Sequence, residues 1–228
     1  MKYKAVIFDL FGTLIENYPE SEFQCTVSEV SSVVSADQDR FIKLWNEHFN
    51  NLMTDNQLVG KCIALVCEKM GLFLENEQLN NAYKIMTDKV RFKMEPSKDT
   101  LAALSCLADR NLRIGLISNC SNEVPAMWRD FALAQMTEKP IFSCSVGLMK
   151  PDPRIYLLAA EWLGVKSEEC IFVDDNLEPL EGAAGVGMKP ILIQDPRLNE
   201  ILVDSNGWHG HIISSMDELI TVLDEIES

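Results

Sequence analysis

The chain has 228 residues, 47% apolar and 24% charged, enough for one large domain or for a core with a modest insertion. Its 35 acidic and 20 basic residues leave a net charge of −15, which repels phosphate backbones and anionic lipid and argues against nucleic acid or membrane partners. Seven scattered cysteines, odd in number and without C-x-x-C spacing, argue against disulfides and structural zinc. The N-terminal apolar run is too short to span a membrane and lacks a signal-peptide cleavage site, so a cytoplasmic location is expected.

In chain order, residues 4–8 (KAVIF) form a short apolar run that reads as a strand. From 16 to 92 no strand pattern occurs, only helical periodicity. It is clearest over 37–53, with Phe41, Leu44, Trp45, His48, Phe49 and Leu52 on one face. It continues over 57–70, which Gly71 ends, and over 77–92. Strand and helix then alternate. A helix over 100–109 shows Leu101, Leu104 and Leu107, and a strand follows at 113–117. After a weaker run at 141–146, a helix over 152–163 carries Ile155, Leu158, Ala159 and Trp162 before Gly164. Strands follow at 170–173 and 190–193, and a tail helix spans 215–226, opened by a capping-box-like Ser215-x-x-Glu218. Such apolar runs, separated by helices, predict an α/β fold: a Rossmann-like doubly wound parallel sheet with an inserted all-helical cap. The expected division is a core of residues 1–15 and 93–228 with a cap of 16–92.

Ligands of open parallel sheets bind beyond the carboxyl ends of the strands. There the sequence places Asp9 and the Leu10-Phe11-Gly12-Thr13-Leu14 turn, then Ser118-Asn119, then Lys150-Pro151-Asp152-Pro153, and finally Asp174-Asp175-Asn176. Three carboxylates in one crevice repel unless a cation compensates them, and a hard divalent ion with oxygen ligands, Mg²⁺, suits such a set. Asp is a competent covalent nucleophile. Lys150 is placed to neutralise an anionic substrate, the Thr13 and Ser118 hydroxyls to donate to it, and Gly12 to let main-chain N–H groups turn toward it.

The segments FDLFGTL (8–14), ISN (117–119), VGLMKPDP (146–153) and FVDDN (172–176), in this order and spacing, resemble the four motifs of the haloacid dehalogenase (HAD) superfamily of hydrolases. The resemblance covers essentially the whole chain, and the helical insertion sits where that family carries its C1 cap. It implies a Mg²⁺-dependent hydrolase with Asp9 as nucleophile, Thr13 and Ser118 as phosphate-site donors and Lys150 as charge stabiliser. It also implies Mg²⁺ held by Asp9, the main-chain carbonyl of Phe11, Asp175 and Asp174. Gly12, Asn119 and, in the cap, Arg40 are the expected substrate-binding residues. The expected partner is a small, phosphorylated molecule, and the expected state a monomer or homodimer.

The family's phosphatases carry a second Asp two residues after the nucleophile as general acid, whereas this chain has Phe11. Loss of a positioned acid costs about 10²–10⁴ in rate, so the missing group bears on substrate choice. One alternative is a 2-haloacid dehalogenase, whose halide leaves unprotonated. Phe11, Arg40 and Tyr156 favour it, and the Asp174-Asp175 pair disfavours it. Another is a weakly active protein that binds a phosphorylated ligand. Glu16 is a further candidate for the missing acid. For Tyr156 a core-packing role is expected, and for His48 a cap-packing one.

Overall fold

The computed structural model describes residues 2–55 and 58–227. Six parallel strands form its sheet: β1 (Ala5–Phe8), β2 (Arg113–Ser118), β3 (Ile141–Phe142), β4 (Cys170–Asp174), β5 (Lys189–Ile193) and β6 (His211–Ile213), in the order β3-β2-β1-β4-β5-β6. β1 therefore lies inside the sheet, with β2 on one side and β4 on the other. Successive side chains point to opposite faces. Val6 and Phe8 join one buried cluster with Ile114, Leu116, Ile171 and Val173, while Ala5 and Ile7 join the other with Ile117, Cys170 and Phe172. Burial on both faces explains why these runs are continuously apolar.

Within the expected run 141–146 only Ile141 and Phe142 pair as strand. Ser143–Val146 turns into a short helix, stopped at Gly147, whose φ is +68°. β6 has no counterpart among the sequence expectations. It is three residues long and pairs with β5 at the sheet edge.

Eleven helices surround this sheet among the described residues. Four precede the second strand's own helix: α1 (Glu20–Val33), α2 (Gln38–Leu52), α3 (Val59–Lys69) and α4 (Asn76–Lys93). They share a separate apolar cluster around Phe41, Trp45, Ile63, Val66 and Ala82. The sequence pattern locates α2, α3 and α4 to within a residue or two, although Gln57, the expected start of α3, lies outside the described residues. α1 is not distinct in the sequence. Lys93, at the end of α4, is buried and pairs with Glu16 at 2.6 Å and with Glu22 at 3.0 Å, joining the chain's exit from the sheet to its return. Burial opposes the Lys93 charge, but hydrogen bonds to Glu16 and Glu22 outweigh it and raise its pKa.

The remaining helices are α5 (Lys98–Asp109), α6 (Glu123–Met127), α7 (Leu133–Met136), α8 (Ser143–Val146), α9 (Pro153–Leu163), α10 (Leu177–Gly185) and α11 (Met216–Glu227). Ser97 caps α5 by accepting from the Thr100 N–H at 3.0 Å, and Asp152 caps α9 by accepting from Arg154 at 2.9 Å. Two details differ from the sequence reading. The α9 face turned to the sheet is Ile155, Tyr156, Ala159, Ala160 and Leu163, an i, i+4 set, so Trp162 falls on the exposed side. At α11 the Glu218 carboxylate accepts from the N–H and hydroxyl of Ser214, one residue before the expected Ser215. Among the described residues no helix is long and apolar enough to cross a membrane.

Candidate active site

The crossover from β1 to its two neighbours opens a crevice at their carboxyl ends, where Asp9, Ser118 and Asp174 terminate three adjacent strands. Phe8 is in register with Val173, so the following residues, Asp9 and Asp174, come out side by side. The Asp9 N–H donates to the Val173 carbonyl at 2.9 Å, extending the ladder by one bond and fixing the residue's direction. All four charged residues here are buried: Asp9 and Asp175 are 8% exposed, Lys150 5% and Asp174 1%.

Lys150 Nζ donates to Asp9 Oδ1 at 2.5 Å and to Asp174 Oδ2 at 2.6 Å, and lies 5.5 Å from the centre of the Phe172 ring. The other oxygen of Asp174 accepts from the Asn176 main-chain N–H at 2.9 Å. Both Asp174 oxygens are thus engaged, and the residue holds Lys150 in line with Asp9. Ligand oxygens of Asp9, Asp174 and Asp175 lie within 4.8 Å of one another. Three carboxylates face one ammonium. The imbalance shows in their acidity: burial first, with Asp9 and Asp174 adding to it, pushes the Asp175 carboxyl up to about 8. Burial raises Asp9 to about 6, against the pull of Lys150. Burial alone would lower Lys150, but Asp174 and Asp9 outweigh it and hold the lysine charged. A divalent cation with oxygen ligands fits this set, because it supplies the missing positive charge.

The turn after Asp9 wraps around one acceptor, the Leu10 carbonyl, which receives the N–H groups of Leu14 at 2.9 Å and Ile15 at 3.1 Å. Gly12 sits in it at φ +79°. A Cβ there would lie 2.5 Å from Asp175 Oδ2 and 2.6 Å from Asn199 Oδ1, so only glycine lets the turn approach the carboxylate. The Thr13 and Ser118 hydroxyls are fully buried and have no hydrogen-bond partner in the protein. Buried hydroxyls are rarely left unpaired, and these two lie on the turn after Asp9 and at the end of β2.

Asn119 lines the crevice beside Asp9, and its amide is also engaged within the chain. Its amide nitrogen donates to the Lys150 carbonyl and its amide oxygen accepts from the Lys150 N–H, both at 2.9 Å. It clamps the lysine loop to β2. Arg40 is not brought to the crevice at all: its main-chain N–H caps α2 through Asp37, and its guanidinium reaches the Lys69 carbonyl at the end of α3. Helical spacing set its face but not the side of the insertion that faces Asp9. Glu16 is held by Lys93. Tyr156 is a core residue, its hydroxyl donating to the Pro179 carbonyl at 2.8 Å. His48 contacts Leu44 and Lys69 within the insertion.

Three residues here have no motif to announce them. Asn199 donates to the Gly12 carbonyl at 2.8 Å and accepts from Asn17 at 2.9 Å, tying the loop after β5 to the turn that follows Asp9. Ser143 accepts from the Cys120 N–H at 3.0 Å, steadying the segment after Ser118.

Comparison with known proteins gives one consistent answer. A family profile described as haloacid dehalogenase-like hydrolase matches residues 3–187. The chain is 28% identical over 198 residues to Phosphatase MT3486 of Mycobacterium tuberculosis, covering 85% of this chain and 88% of that protein. It is 24% identical to the (S)-2-haloacid dehalogenase of Pseudomonas putida, covering 95% and 94%. A HAD family enzyme of Bacteroides thetaiotaomicron, solved with magnesium and inorganic phosphate, superposes with a TM-score of 0.64 at 20% identity, covering 84% of this chain and 94% of its own. The strand order, the acidic strand ends and the matched profile agree that the chain belongs to the haloacid dehalogenase-like hydrolases.

Proposed function

We propose that the chain is a Mg²⁺-dependent phosphatase acting on a small phosphorylated molecule through a phosphoryl group carried on Asp9. The observation that carries this reading is the surplus of three buried carboxylates over one lysine at the strand ends. Asp9, Asp175 and the Phe11 main-chain carbonyl would hold Mg²⁺, with Asp174 beside them orienting Lys150. Bound there, the ion supplies positive charge that offsets repulsion between Asp9 and a phosphate dianion.

A carboxylate oxygen of Asp9 attacks phosphorus as the bond from phosphorus to the ester oxygen breaks, and the electron pair leaves with that oxygen. Lys150 and the hydroxyls of Thr13 and Ser118 donate to the phosphoryl oxygens as charge shifts onto them. Water then attacks the phosphoryl group on Asp9, releasing inorganic phosphate and regenerating the carboxylate. No acidic side chain stands at position 11, so the leaving oxygen departs without a proton from that residue.

The test is turnover of 4-nitrophenyl phosphate. It is expected to require Mg²⁺, to stop on addition of EDTA, and to fall by about 10³-fold or more in Asp9→Asn. A phosphoryl adduct on Asp9 should be trapped by rapid quench and mass spectrometry. Undiminished turnover in Asp9→Asn rules the mechanism out. A second reading, carbon–halogen hydrolysis, draws on the Phe11 ring and on the similarity to the Pseudomonas putida dehalogenase. Metal-independent halide release from a 2-haloacid would establish it over the first.

A further inference from the structure

Beside the Asp9 crevice lies a second cavity, of about 260 Å³, between the sheet end and the helical insertion. Phe11, Asn17 and Asn119 line both spaces, so the cavity adjoins the Asp9 crevice across the Phe11 ring. Its walls are mostly apolar. Phe23 of α1 and Phe49 of α2 stand 4.7 Å apart, Tyr18 meets Phe23 edge-on at 5.9 Å, and Met86 of α4 faces the same space. Among the described residues no Lys, Arg or His lines it, and its charged lining groups are the carboxylates of Glu20 and Glu123. Glu123 cannot readily swing away, because its Oε1 accepts from the Val59 N–H at 2.6 Å.

Resting on the phosphatase reading, the geometry points to a substrate class: phosphate monoesters whose leaving group is compact, uncharged and apolar, above all a single aromatic ring. Three observations converge. The apolar walls favour burial of apolar surface in proportion to its area. A leaving group bearing a carboxylate or a second phosphate meets the buried carboxylate of Glu123 and the exposed one of Glu20, with no lining cation to offset them. A phenol-type oxygen, being far less basic than an alkoxide, leaves without the proton that Phe11 cannot give. The volume sets the size, for it sits just below the roughly 300–1,000 Å³ of drug-sized ligand pockets.

Two arms separate this inference from the reading beneath it. The binding arm titrates the Mg²⁺-loaded full chain with phenylphosphonate and with phosphonoacetate, neither of which can be hydrolysed at an ester bond. Phenylphosphonate is expected to bind about tenfold or more tightly. Equal binding, the reverse order, or no binding of either overturns the inference. Val90→Lys, which sets an ammonium in the cavity wall, is expected to shift the ratio about tenfold toward phosphonoacetate. Met53→Lys serves the same purpose should circular dichroism show Val90→Lys unfolded, and an unchanged ratio in a folded variant counts against the pocket. The turnover arm compares phenyl phosphate with phosphoglycolate. Failure to hydrolyse either, with the phosphonate preference intact, sinks the phosphatase reading and leaves the pocket's chemistry standing.

Discussion

Lys150 is the one cation among three buried carboxylates, and its removal is not equivalent to losing an exposed ion pair. Breaking a buried pair leaves uncompensated charge and costs about 3–5 kcal/mol. Lys150→Met, similar in length and uncharged, should therefore lower the thermal midpoint of the metal-free protein by many degrees as well as abolish turnover. A midpoint within a degree of the parent protein would show that the Asp9–Lys150–Asp174 chain is not formed. Phe11 invites the opposite experiment. On the phosphatase reading, Phe11→Asp places a proton donor two residues after Asp9, and is expected to raise turnover of alkyl phosphates by about 10²-fold while changing aryl phosphate turnover little. An unchanged alkyl-to-aryl ratio would mean that the leaving oxygen obtains its proton elsewhere.

At the scale of elements, the Glu123–Val59 hydrogen bond joins the insertion to a helix of the core. Glu123 is 2% exposed, on α6, and its carboxylate meets the first N–H of α3, where a negative charge is favoured. Glu123→Ala would leave that N–H unpaired at a cost of about 1–3 kcal/mol. Faster amide exchange at Val59 and along the first turn of α3 is the expected readout, and unaltered protection there would refute it. Strands buried on both faces announce themselves in the sequence, so β1, β2, β4 and β5 were legible, together with the acidic and hydroxyl residues at their ends. β6, with three residues, is shorter than any pattern can carry. α1 intersperses Phe23, Val27 and Val30 with five serines and threonines, which blurs its apolar stripe. Asn199 was invisible for another reason: its partners Asn17 and Gly12 lie 182 and 187 positions away, and nothing local records a hydrogen bond between distant loops. Arg40 shows the converse error, since position along a helix does not tell which way the helix faces.

Over the whole molecule, the strained charge at the strand ends couples stability to pH and metal. Asp9 and Asp175 rise from the ordinary 3.8 to about 6 and about 8 in the folded chain. A carboxyl with a raised folded pKa favours folding most when protonated. That contribution is complete below its unfolded pKa and is lost as pH climbs through the folded value. The metal-free protein should accordingly lose thermal stability from about pH 4 to about pH 8. Mg²⁺, which favours the ionised forms, should raise the melting temperature more at pH 8 than at pH 5, and a shift of equal size at both would contradict the carboxylate account.

The Lys93–Glu16 pair has a mechanical meaning as well. The chain leaves the sheet at 16–19 and re-enters at 93–97, and this pair keeps the two crossings side by side. Lys93 is 8% exposed and also meets Glu22 at 3.0 Å, so the exit from the sheet, the first helix of the insertion and the return are gathered on one ammonium, and an uncharged residue at 93 would leave two carboxylates adjacent with no cation between them.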